Sequence, residues 1–398
     1  MTTRSPLQEE PDFSLVLGGP SYQFLRRVHL SGPALEQVPR RILFTAMITW
    51  VPLALLTLIE GNPSGVKLTF LQDIEAHVRF LVAVPVLIEA ELIVHRRLRI
   101  TVKRFVERGI VRAGDIPKFH EAIEAASRLR NSLSLELALL LFIYTAGQWF
   151  WRSQTSLETA SWYRASEGVH LGLTLPGYWY AFVSLPIFQF ILLRWYMRIF
   201  IWFQFLWRIS KLDLHLLPAH PDRAGGLGFL GGGSYAYAPI LFAQGTVLAG
   251  LIANRIFYQG HHLSSFRLNI AAFVVVFVVF ILAPLAVFTP QLSAAKRRGL
   301  GEYGTLAASY VNEFEEKWLP AGNQKSDAHG SELLGSGDIQ SLADLGNSFG
   351  FVREMRFVPF SLDDVFRLAA TTAAPLLPLL LTIMPLEELL SRAIKIVF

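Results

Sequence analysis

The sequence predicts an all-α polytopic helical membrane protein, with six or seven transmembrane helices and cytoplasmic helical extensions. Three observations carry that reading. Of 398 residues, 52% are apolar and only 17% are charged, against about 25% charged in soluble domains. Several apolar runs approach or exceed the ~20 residues that take a helix across a bilayer. None of these runs alternates, as the short strands of an outer-membrane barrel must.

Residues 1–41 read as a cytoplasmic N-terminal segment, polar and ending in Arg26, Arg27, Arg40 and Arg41. Its longest apolar patch is the short stretch 14–19, so no cleaved signal peptide is expected. A membrane domain follows at 42–289, with spans at about 42–59, 78–95, 133–151, 177–207, 235–257 and 268–288. Pro52 sits near the centre of the first. Residues 96–130 carry ten Lys/Arg against four acids. By the positive-inside rule this stretch is cytoplasmic, and so is the N-terminus.

Within 96–130, Leu98, Val102, Phe105 and Val106 recur at helical spacing, Gly109 and Gly114 break the pattern, and Asp115 with Pro117 restarts it. This predicts a protruding helical hairpin, read either as a solvated basic arm or as a surface for a partner or anionic lipid. On the other side, Trp162, Tyr163, Tyr178, Trp179 and Tyr180 have the composition of an interfacial aromatic belt.

Residues 290–365 read as a cytoplasmic helical and linker region. Tyr303, Leu306, Tyr310, Phe314 and Trp318 form a helical stripe, against which Gly299, Gly301 and Gly304 argue. A polar linker covers 321–337 and a short helix 338–356. Ser361 and Asp364 have capping-box spacing at the head of the last region, 366–398. Its apolar run at 368–384 either spans or re-enters, since Pro375, Pro378 and Pro385 interrupt it, and an amphipathic tail ends the chain.

Three segments, HPDRAGGLGFL at 220–230, GDIQSLADLGNSF at 337–349 and APLLPLLLTIMPLEELL at 374–390, resemble a widespread family of uncharacterised bacterial multi-pass membrane proteins. The resemblance covers about a tenth of the chain. It implies a bacterial cytoplasmic (inner) membrane setting, and brings no activity or catalytic residue with it.

The chain has no cysteine, which excludes disulfides, thiolate metal sites and cysteine nucleophiles. Its most unusual local composition is at 211–233, with two histidines, two aspartates, an arginine, two prolines and six glycines. His215, His220 and Asp222 are metal-capable residue types, although five-residue spacing does not place the histidines on one helical face. Arg223 with the backbone at Gly225, Gly226 and Gly228 could form an anion nest, but the Lys-Ser/Thr of a Walker A loop is missing. The structural alternative is a rigid clasp joining the fourth span to the fifth, in which glycine allows close approach.

Intramembrane charge is the second candidate. Glu89, Glu91 and His95 lie in the second span, Arg194 and Arg198 in the fourth, and Glu136 at the inner end of the third. An unpaired charge there costs roughly 2.5–3.5 kcal/mol, so these groups pair with one another or line water. The functional reading is an ion or solute path. The structural one is a salt-bridge network, with Arg198 snorkelling toward the cytoplasm. Gln148, Gln189, Gln204, Gln244 and Asn254 supply polar contacts between helices. His261 and His262 read as exposed loop residues.

Neither a GxSxG elbow nor HExxH is present, so an enzyme is the third choice, with no catalytic residue, metal or cofactor assigned. Nucleic acid is not expected, because topology already explains the basic residues. The leading expectation is a channel- or transporter-like protein for an ion or small polar solute. The alternative is a membrane-anchored interaction or signalling component whose cytoplasmic helices dock a protein partner. The lipid bilayer is the expected partner in both, and the sequence leaves a homo-oligomer open.

Overall fold

Six apolar helices pack with a seventh, more charged helix that is buried among them in the described residues. The computed structural model describes residues 13–30, 32, 36–61, 68–155, 161–164, 172–319 and 336–382. Among these, α1 is Pro20–Arg27, α2 is Val38–Glu60, α3 covers 74–107, α4 is Ile116–Arg130, and α5 is Leu133–Trp151. Then come α6 (Leu175–Ile209), α7 (Phe229–Gln259), α8 (Leu263–Trp318), α9 (Gly337–Arg353) and α10 (Leu362–Thr382). The described residues contain isolated β-bridges but no strand. The amphipathic tail, Pro385 and nearly all of the polar linker lie outside the described residues.

Among the described residues, six helices are long and apolar enough to cross a bilayer: α2, α5, α6, α7, α8 and α10. The protein is an all-α polytopic membrane protein. The seventh, α3, carries too many charges to pass that test, yet it lies inside the bundle. Phe80, Ala83, Val84, Ala90, Val94 and Val102 are all fully buried. A helix shielded from lipid on most sides needs no apolar outer face.

Glycines set how closely α7 packs on its neighbours. An added Cβ at Gly233 would lie 2.9 Å from Thr101 Oγ1, and one at Gly250 would lie 2.5 Å from Val78 Cγ2. Thus α3 and α7 run antiparallel in contact over their full lengths, as small residues permit. On another face, Gly231 abuts Pro359 and Asp364, Gly245 abuts the Thr372 carbonyl, and Leu376 and Leu379 join Ala253, Leu263 and Phe266 at the far end. So α10 follows α7 from one end of the bundle to the other and does not turn back. Its start is fixed by reciprocal capping between Ser361 and Asp364. Beyond Ala373 the two prolines tighten it into a 3-10 turn.

Polar contacts lock further pairs. Asn254 Nδ2 donates to Asp73 Oδ1 (2.8 Å), joining α7 to the cap of α3. Gln244 Nε2 donates to Tyr196 Oη (2.5 Å), joining α7 to α6. A π-turn in α6, Tyr180–Ser184, presents the Ala181 and Phe182 carbonyls to Gln148 (2.5 Å) and Tyr144 (3.1 Å) of α5.

Four expectations change. The 96–130 hairpin forms but does not stand free, because Phe119, Ala122, Ile123 and Ala126 of α4 are buried. Phe119 stacks edge-on against Phe205 near the C-terminal end of α6, 6.1 Å between ring centres. The belt aromatics are partly misplaced: Trp162, Tyr163 and Tyr180 are buried in one aromatic cluster. Their polar tips explain this, since Trp162 Nε1 donates to Asp73 (2.9 Å) and Tyr180 accepts from Arg79. Helix α8 continues unbroken through Gly299, Gly301 and Gly304. Gly299 is needed there, since a Cβ would meet Pro218 at 2.4 Å. The short helix ends at Arg353, with Arg356 passing into the turn before α10.

Beyond the bundle, α9 lies along the end of α8. Asp338 accepts from Lys317 (2.6 Å) and Trp318 Nε1 (3.0 Å). These bonds hold its carboxyl below the ordinary carboxylate range.

Gly250→Ala should destabilise the protein by about 1–3 kcal/mol through overpacking of α7 on α3. Gly301→Ala, whose Cβ enters open space, should be neutral or slightly stabilising. Thermal unfolding in detergent checks this, and equal midpoints for the two variants would refute the close-packed α3–α7 seam.

Candidate functional site

Helix α3 turns Glu91 inward because Leu87, Val94 and Leu98 share its buried face. Two arginines from different helices meet it. Arg41 Nη2 of α2 lies 2.5 Å from Glu91 Oε2, and Arg198 Nη1 of α6 lies 2.9 Å from Oε1. One turn away on α6, Arg194 Nε lies 3.7 Å from Glu136 Oε1 of α5. Glu136 is held on its other oxygen by the Ser21 N–H (2.8 Å) and hydroxyl (2.5 Å) at the start of α1. A carboxylate at a helix N-terminus also gains from the aligned backbone dipoles. All five charged groups are under one-tenth exposed.

Aromatic faces complete the lining. The Arg198 guanidinium sits 4.7 Å from the Trp195 ring centre, and that indole donates to the Leu87 carbonyl (3.0 Å). Arg194 lies 5.8 Å from the Phe190 ring centre. The cluster thus holds three guanidinium groups against two carboxylates. Arg194 Nε is buried and makes no hydrogen bond, being too far from Glu136. Arg198 does not snorkel: it is 3% exposed and paired with Glu91.

Beside the cluster is a cavity of about 490 Å³, walled by α2, α3, α5 and α6 with α1 across one end. Arg41, Glu91, Glu136 and Arg194 form its polar part. Phe44, Ile48, Leu140, Ile187 and Phe190 form apolar walls. Its size is that of a small-molecule site.

The structure separates the other charges expected to share this place. Glu89 is exposed and lines a different cavity of about 330 Å³ with Arg97 and Tyr235. Two residues along a helix is a rotation of about 200°, so Glu89 and Glu91 cannot share a face. His95 does share the Glu91 face, but its Nδ1 lies 2.9 Å from Ser14 Oγ in the N-terminal segment.

The glycine-rich loop closes on itself. Asp222 accepts from the backbone N–H groups of Ala224 (2.8 Å), Gly226 (3.1 Å) and Gly228 (2.8 Å). The anion nest therefore exists and is filled by the chain's own carboxylate. Gly225 and Gly226 have positive φ (63° and 98°), as does Arg223 (54°), which curls the amides inward. His220 Nδ1 stands 2.9 Å from Asp222 Oδ1, while His215 is exposed and apart. Among the described residues no three His, Asp or Glu side chains converge as metal ligands. The loop also grips the α9–α10 turn: Arg356 donates to the Arg223 (2.7 Å) and Asp222 (2.9 Å) carbonyls, and Arg223 pairs with Glu354.

Sequence reasoning missed Arg41, Ser21 and Arg79. Arg41 read as a topology signal beside Arg40, and its position at the first turn of an apolar run was the available clue. Arg79, which pairs with Glu75 and Tyr180 and lies 5.5 Å from the Phe188 ring centre, marks a second buried cation at the other end of α3. The chain matches no protein-family model, and no curated protein or solved structure is similar to it.

Glu91→Gln should cost about 3–5 kcal/mol, because it leaves two buried arginines without their shared carboxylate. Glu89→Gln should stay within about 0.5 kcal/mol. Unfolding midpoints of the two variants compare them directly, and a neutral Glu91→Gln would remove the network from the stability argument. Asp222→Ala should cost at least about 2 kcal/mol by orphaning three amides. Faster proteolysis at 211–233 would report it, and unchanged protection would show that the nest does not need its aspartate.

Proposed function

We propose that this protein is a transporter-like component of a bacterial cytoplasmic membrane, with its N-terminus and basic end inside, and that it handles an anion. One observation supports the reading above others: three buried arginines face two carboxylates at one depth, beside a cavity large enough for a small molecule. A cation path would carry the opposite surplus. The Arg41–Glu91–Arg198 set is the structural part of the site, and Arg194 is the group with hydrogen-bonding capacity to offer. The bacterial setting rests on the resemblance at 220–230, 337–349 and 374–390. The orientation rests on the basic stretches before α2 and between α3 and α5.

The interaction reading keeps one specific support. Leu306 and Val311 are exposed on the α8 extension beside α9, and Leu319 is exposed just past its end, as a docking arm would require.

In proteoliposomes the purified protein should pass chloride or inorganic phosphate faster than protein-free vesicles. Arg194→Gln should slow this by tenfold or more, while Glu89→Gln should not change it. Wild-type flux equal to that of empty vesicles would defeat the transport reading, and loss of a co-purifying partner on deleting 337–353 would then favour the docking arm.

A further inference from the structure

The cavity beside Arg194 has an order along the bundle axis that a site for a free inorganic ion does not need. From the basic end, α2 contributes Arg41, then Phe44, Thr45 and Ile48. In the same direction α5 contributes Glu136, then Leu140, and α6 contributes Arg194, then Ile191 and Ile187. On α3, Glu91 precedes Ile88. Each wall thus starts charged and becomes apolar over one or two turns, or about 10 Å along α2 at 1.5 Å per residue. The cavity lies between α2 and α5, of whose apolar stretches only 11% and 17% is buried. Those are the lowest shares among the six apolar helices, so these two walls are the least covered by the rest of the described chain.

We infer that the α2–α5 cavity binds an anionic amphiphile, an oxyanion head on an apolar chain, with the head on Arg194 and the chain lying between Ile48 and Leu140. Arg41 and Arg198 share Glu91, which leaves Arg194 as the lining guanidinium without a hydrogen-bonded carboxylate, and that group selects the head. Glu136 already takes two hydrogen bonds from Ser21 on one oxygen, and its other oxygen stays 3.7 Å from Arg194 Nε. The buried Nε is without an acceptor and Arg194 lines the cavity, so a carboxylate or phosphate entering there offers the guanidinium a charge-assisted bond. The apolar walls select the chain, because burying each methylene is worth about 0.8 kcal/mol. Helix α1 closes the charged end. Phe24 and Leu25 line the cavity there, and Ser21 ties the helix to Glu136. Arg26 and Arg27 in its last turn are exposed, where anionic head groups would lie. This inference rests on the anion reading above and narrows it to anions carried on a chain and entering sideways from the bilayer.

Native mass spectrometry of the detergent-purified protein, with palmitate, lysophosphatidate and neutral monopalmitoylglycerol as probes, tests it. Wild-type protein should retain the two anionic probes and release the neutral one. Arg194→Gln should weaken retention tenfold or more. Leu140→Trp keeps every charge and fills the chain slot; it should do the same while its unfolding midpoint holds. Palmitate and lysophosphatidate together separate carboxylate from phosphate heads, and either alone sustains the proposal. Equal retention of the neutral probe, or undiminished retention by both variants, overturns it. So does displacement of palmitate by acetate or inorganic phosphate at equal concentration, which would make the site one for soluble anions. Anion flux without amphiphile retention would sink this inference and spare the transport reading. Retention without flux would do the reverse.

Discussion

A charge buried away from water has to be matched, and in this bundle the match at Glu91 involves three helices. Arg41 comes from α2, Glu91 from α3 and Arg198 from α6. Removing any one leaves a group whose desolvation is no longer offset. Much of the surrounding architecture serves that match. Trp195 donates to the α3 backbone and shields Arg198, while Glu136 and Ser21 carry the neighbouring Arg194 and tie down α1. The glycines of α7 let α3 sit deep enough for Glu91 to be out of reach of lipid.

The two ends of the bundle solve their polar problems differently. At the end holding Asp73, the polar side chains bond mainly to one another. Asp73 caps α3 and accepts from Trp162 and Asn254, and Arg79 bonds Glu75 and Tyr180. At the end holding the glycine-rich loop, Asp222 gathers three amides and Arg356 fastens the loop to the turn before α10. Buried Nε atoms without an acceptor occur at both ends, on Arg79 and Arg356, but only the Arg194 one belongs to a residue that lines the 490 Å³ cavity. That contrast is what makes it the candidate site.

The helical class and the six helices long and apolar enough to cross a membrane were legible from apolar runs, with only the last left open between spanning and re-entry, because length and hydropathy are local properties. The pairing of Glu91 with Arg198 was legible in part: both lie in spans, and charges in spans seek each other. Glu89 was misjudged although its sequence position held the answer, since a two-residue offset turns it to the opposite face. The role of Arg41 was hidden because an arginine at a span's edge ordinarily reports topology. Trp162 and Tyr180 look like interface residues until Asp73 and Arg79 are known to reach them, and those contacts are long-range. The loop at 211–233 reads first as a clasp, with a nest as the weaker alternative. Only the position of the Asp222 carboxylate decides between them.

The central placement of α3 has a consequence for how the chain enters a membrane. Helix 74–107 is too polar to partition by itself, and Glu91 is its most demanding group on the buried face. During synthesis Arg41 has already emerged, fifty residues earlier, whereas Arg198 has not. Pairing with α2 therefore supplies Glu91 with one of its two arginines before α6 is made, and Arg198 completes the set. The order of residues along the chain thus gives this buried glutamate a companion ahead of the closed bundle.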